Sequence, residues 1–79
     1  MANRIYSADK RTFVIALAGT LAPMQARWTI KSVMEASNGG REVAVPGMHD
    51  IAAVGEDIAF AHACDRIDKW LMSNREGAG

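Results

Sequence analysis

A single cysteine, two prolines, no net charge and no long apolar run mark this 79-residue chain. Each scarcity removes a class of protein. With Cys64 alone, no disulfide can form within the chain. The other soft ligands are His49, His62 and the methionines, a set too sparse to suggest a structural metal. A domain this small buries only about 60% of the surface its unfolded chain exposes. Disulfides and metals are the usual reinforcements, and without them self-association or docking on a larger body remains. The lone cysteine fits a reducing compartment. The longest apolar runs, Phe13 to Ala18 and Ile58 to Ala61, fall far short of the roughly 20 residues of a membrane span. The start, Met-Ala-Asn-Arg, lacks a secretory pattern, and Ala2 does not permit N-myristoylation. The expectation is therefore a cytoplasmic protein with no membrane partner.

Charge is balanced overall and uneven along the chain. Residues 1–45 carry Arg4, Lys10, Arg11, Arg27, Lys31 and Arg41 against Asp9, Glu35 and Glu42, a surplus of three positive charges. Residues 46–79 carry Arg66, Lys69 and Arg75 against six carboxylates, the opposite surplus. A neutral chain has no long-range field to recruit nucleic acid. Its asymmetry could align two copies head to tail, although chance is the simpler account.

No group of residues makes a catalytic pattern. His49-Asp50 resembles a metal-ligating pair but lacks the further ligands; Asp50 reads more simply as the N-cap of a short helix. His62 and Cys64 are two apart, a spacing that turns them to nearly opposite sides of a helix. The serines at 7, 32, 37 and 73 lie in no nucleophile-elbow context. Gly39-Gly40 follows an element where a phosphate cradle would open one. Asp57, Asp65 and Asp68 scatter over a solvated helix face. The reading is a protein that is not an enzyme, with no catalytic, cofactor-binding or metal residues, no cofactor and no small-molecule substrate.

Arg4 to Ala8 and Thr12 to Leu17 are rich in β-branched and aromatic residues around the polar link Asp9-Lys10-Arg11, which reads as a hairpin. Its competitor is a helix over residues 8–21. Thr20 as N-cap and Pro23 in the first turn then predict a helix over Thr20–Ala36, ended by Ser37-Asn38-Gly39-Gly40. Arg41 to Val45 alternates as a third strand, closed by Pro46-Gly47. Met48 to Val54 reads as a short helix. A longer one, Glu56–Met72, is marked by Phe60, Cys64, Ile67 and Leu71 on one face. The predicted class is α+β: a three-stranded antiparallel sheet (a β-hairpin plus one strand) packed against two main helices, in the order ββαβαα. Residues 1–73 make a single compact domain and 74–79 a flexible tail.

On the predicted central helix, Ala22, Ala26, Ile30 and Val33 form one apolar stripe. Leu21, Met24 and Trp28 form a second, rimmed by Arg27, Lys31 and Glu35. An aromatic ridge inside a polar rim has the form of a protein-binding hot spot. These six residues, Leu21, Met24, Arg27, Trp28, Lys31 and Glu35, are the candidate protein-binding site. The alternative is that Trp28 simply packs into the core.

Arg4-Ile5-Tyr6, a second strand, Ala18-Gly19-Thr20 leading to Gln25-Ala26, and Asp50-Ile51-Ala52-Ala53 together resemble small accessory proteins of bacteriophages and mobile elements. The likeness covers about two-thirds of the chain and leaves Glu56 to Met72 outside it. It implies action without catalysis, by covering a surface of a host complex as anti-CRISPR proteins do. The leading expectation is thus a non-enzymatic protein-binding module, an inhibitor or modulator of a larger host complex, with a protein partner or as a homodimer. The alternatives are a small DNA-binding transcriptional regulator, which would place a helix-turn-helix in residues 8–37, and a structural subunit of a larger assembly.

Overall fold

In the computed structural model, residues 2–21 and 26–78 are described, with side chains except at 20, 21, 26, 38 and 74–78. The chain opens as a tight hairpin. Strand β1 (Ala2–Ala8) pairs antiparallel with β2 (Arg11–Leu21), from Ala2 opposite Leu17 to Ala8 opposite Arg11. The two-residue link Asp9-Lys10 has φ of 56° and 63°, the left-handed pair that lets a turn follow the twist of its strands.

The central segment overturns the largest expectation. No helix spans Thr20–Ala36: β2 runs on to Leu21, and Ala26–Glu35 is a third strand, β3, antiparallel to β2. Thr20 is a residue of strand β2 and no helix starts after it among the described residues; Pro23 and Met24 lie outside them. The physical reason is a β-bulge. Leu17 faces Ile30 and Ala16 faces Ser32, so Lys31 is an extra residue with no opposite number. The bulge lets Ile30 and Val33, three residues apart, both point inward. A spacing of three imitates a helix face, although Trp28, Thr29, Ile30 and Val33 are strand-forming residues.

After a 3-10 turn (Ala36–Asn38) and Gly39-Gly40 at positive φ, β4 (Arg41–Glu42) returns along β3, opposite Glu35 and Met34. The strand expected over Arg41 to Val45 is thus only two residues long. The short helix expected over Met48 to Val54 is replaced by a 3-10 turn (Met48–Asp50) and by β5 (Ala52–Ala53), which pairs with Trp28 and Thr29 of β3. Asp50 lies inside that turn, and Gly47, at φ 81°, occupies its cap position. The sheet is therefore five-stranded, ordered β1-β2-β3, with β4 and β5 sharing the far edge of β3.

Helix α1 (Glu56–Ala78) covers one face of this sheet. The order of the described elements is three long strands, two short ones, then α1; it replaces the ββαβαα arrangement with two main helices. Expected helix residues Ile67 and Leu71 are buried, but Ala59 and Ala63 are buried more deeply than Phe60 and Cys64, which flank them. Two alanines at that spacing bring the helix close to Phe13, Ile15, Leu17, Ile30 and Val33 of the sheet. Met48, Ile51 and Val45 close the end of this core.

Trp28 lies on the same inner face, directly across from Gly19. A Cβ built on Gly19 would stand 2.8 Å from the indole, so the bare glycine makes room for the ring. Alanine is ordinarily better than glycine in a strand by about 0.5–1 kcal/mol. With the indole in place, Gly19→Ala should instead destabilise by about 1–3 kcal/mol, as overpacking does. In a Trp28→Leu background the same change should be neutral or stabilising. Thermal melts of the four proteins in this cycle read the sign, and an additive cycle would refute the contact.

Candidate functional site

Of the expected ridge and its rim, the residues whose side chains are described, Arg27, Trp28, Lys31 and Glu35, are divided between the two faces of the sheet. Leu21 ends β2, and Met24 lies outside the described residues. Trp28 is half-buried on the inner face, packed against the core. Arg27, its neighbour in β3, is exposed and pairs with Thr20 in the opposite pleat. Lys31 is the exposed bulge residue.

Glu35 departs furthest from a solvated rim, being 5% exposed. Its two carboxylate oxygens accept from Nε and a terminal amine of Arg11 at 2.6 and 2.5 Å. Ser37 donates from Oγ to the same carboxylate at 3.4 Å and accepts from the Thr12 amide at 3.2 Å. The Arg11 guanidinium stands 5.3 Å from the Trp70 ring and 5.5 Å from that of Phe13, and those rings meet edge-on. The hydrogen bonds from Arg11 hold the Glu35 carboxyl below its usual range. This cluster ties the sheet to α1.

A second tie joins β1 to the other flank of α1. Arg4 reaches Asp57 at 2.5 Å and Glu56 at 3.4 Å while stacking 4.2 Å over the Phe60 ring. Tyr6 donates its hydroxyl to Asp68 at 2.5 Å, and that bond pushes its pKa up to about 12. Burial raises the Cys64 thiol to about 11, away from the thiolate that nucleophilic chemistry needs. His62 and His49 are exposed. Among the described residues, no three His, Cys, Asp or Glu side chains group as metal ligands. None of the helices is long and apolar enough to cross a membrane, as far as the described residues go.

Between β4 and β5 the chain bows away from β3 and leaves a cleft of about 310 Å3. Ile30, Val45 and Met48 supply apolar walls, with Lys31 and His49 also lining it. The volume is at the lower end of small-molecule pockets.

The larger unexplained feature is the outer face of the sheet. No described element covers it. Register places Ile5, Val14 and Met34 in one row across three strands. Asn3, Ala16 and Ser32 make the next row, and Ala18 with Thr29 continues it. Ile5 is 67% exposed and Met34 39%. A solvated face of an antiparallel sheet normally carries polar side chains. Here the middle strand offers valine and two alanines instead. Glu42 stands beside Met34, and Arg27 lies at the far end of β3.

The expected ridge missed this face, although one signal for it was in the sequence. Phe13 to Ala18 is apolar at every position, and a strand apolar on both sides reads as one covered on both sides. Ile5 alone on β1 carried no such mark. Comparison with family models, with curated proteins and with solved structures gives no match.

The Glu35–Arg11 cluster has a pH consequence. Because the Glu35 pKa is lowered on folding, its contribution is present above the ordinary carboxylate range and is lost as pH falls through the depressed value. Glu35→Gln should destabilise at neutral pH by about 1–2 kcal/mol. The gap from the parent protein should shrink toward zero in acid. Denaturant melts from pH 7 to 2 measure it, and a gap that stays constant with pH would show the carboxylate to be unperturbed.

Proposed function

We propose that the chain is a non-catalytic protein-binding module that works through the outer face of its sheet, in the cytoplasm. The observation that carries this reading is the row Ile5, Val14 and Met34, lying on a face that no described element covers. Contiguous apolar surface of this kind is rare on monomers except where something binds.

The partner that fits is an acidic amphipathic helix of another protein. Ala16, Ala18 and Ser32 are small enough for a helix to approach, much as Ala59 and Ala63 let α1 approach the opposite side. Charge agrees. Arg4 and Arg11 of the basic first half are paired on the helix side and Arg27 and Lys31 are exposed on the sheet, while α1 carries Glu56, Asp57, Asp65, Asp68 and Glu76 against Arg66, Lys69 and Arg75. An acidic partner is thus drawn toward the sheet and away from the helix. Such a module could modulate a host complex by covering its surface, as the likeness to small phage accessory proteins implies. A DNA-binding regulator is less well supported, because residues 8–37, where its helix-turn-helix would lie, contain strands β2 and β3.

Met34→Glu and Thr29→Glu alter exposed outer-face positions, whereas Met72→Glu alters an exposed position on α1. Used as baits beside the unaltered protein, the first two should retain a specific partner at least about tenfold more weakly, and the third should retain it normally. Retention should weaken with salt and resist competition by random duplex DNA. Equal retention by all four baits would overturn the assignment to this face.

A further inference from the structure

We infer that the free edge of β1 pairs with β1 of a second copy of this chain, joining two sheets into one. The contact runs along an edge and shares only Ile5 with the outer row of the proposed function, so Ile5→Lys and Met34→Glu tell the two apart.

β1 is the outermost strand of the described sheet and is seven residues long. Soluble proteins guard such edges with proline, bulges, very short strands or outward charges. β1 has none of these. It contains no proline, and its pairing with β2 is unbroken from Ala2 to Ala8. Its only charge, Arg4, is drawn toward the helix by Asp57 and Glu56 and laid over Phe60.

The residues along β1 also match themselves. A two-fold axis perpendicular to the sheet makes the strands antiparallel and keeps both helices on one side. Centring that axis on Ile5 is the register that uses all seven residues of both strands. Ile5 then faces Ile5 of the second copy on the outer side, where it is otherwise 67% exposed. Asn3 faces Ser7, and Ala2 faces Ala8. On the helix side, Arg4 faces Tyr6 of the second copy, whose hydroxyl holds Asp68. Each Arg4, held by its own Asp57 and Phe60, then stands beside the Tyr6 position of the second copy and opposes no like charge, twice by symmetry. Centring on Arg4 instead would oppose two guanidiniums and lose part of the overlap. One pair of edge strands makes a contact smaller than the roughly 1,200 Å2 where stable complexes begin, so the association is reversible and set by concentration.

Sedimentation equilibrium on the full chain, over a wide concentration range, should show a monomer–dimer equilibrium. Ile5→Lys places two ammonium groups at the axis and should weaken it by more than about tenfold, with the monomer's melting temperature unchanged. Met34→Glu, on the same face but away from the edge, should leave it intact. A chain that stays monomeric at every concentration would overturn the inference. So would a dimer broken by Met34→Glu and untouched by Ile5→Lys, which would place the contact on the face. Should Ile5→Lys not fold, amide exchange in the unaltered protein decides. Protection in β1 should rise with concentration, and protection that does not change would equally end the inference.

Discussion

Among the described residues, one face of one sheet buries most of the large apolar side chains, and one helix closes it. Every strand is bent to that constraint. β2 sends Phe13, Ile15 and Leu17 inward without interruption. β3 could not follow with a strict period of two, because its inward residues are Trp28, Ile30 and Val33. The extra residue at Lys31 resolves the conflict by setting Leu17 against Ile30 and Ile15 against Val33. The helix answers with Ala59, Ala63, Ile67 and Leu71, all buried against the sheet. The Arg11–Glu35 cluster and the Arg4 and Tyr6 bonds then fasten it at both flanks.

The same bulge explains which parts of the architecture could be read from the residues. The β1–β2 hairpin and the helix beginning at Glu56 were legible, because β-branched residues flank a polar link in one and a four-residue apolar rhythm runs through the other. The segment 26–35 was not, since Ile30 and Val33 are spaced as on a helix, and Pro23 behind Thr20 imitates a helix start. β4 and β5 are two residues each and exist through pairing with β3, which leaves almost no local trace. Ala59 and Ala63 carry no strong hydrophobic signal, yet they set the distance between the layers.

The candidate site moved for the same reason. On a helix, Leu21, Met24 and Trp28 would share a ridge with Arg27, Lys31 and Glu35 at its rim. On strands, adjacent residues part to opposite faces, so Trp28 turns to the core while Arg27 turns outward. Glu35 is inward and paired. What the sequence did announce, in the unbroken apolar run from Phe13 to Ala18, is that both faces of β2 are apolar. The inner one is covered by α1, and the outer one, with Ile5 and Met34 beside it, is where binding is proposed.

The central claim is the bulged pairing of β2 with β3, from which both the core and the exposed outer row follow. Through-space proton contacts in solution test it most directly. The structure predicts cross-strand contacts of Leu17 with Ile30 and of Ile15 with Val33, with Lys31 opposite no residue of β2. Contacts between residues three and four apart along 26–35, with no cross-strand set, would show a helix there and contradict the account.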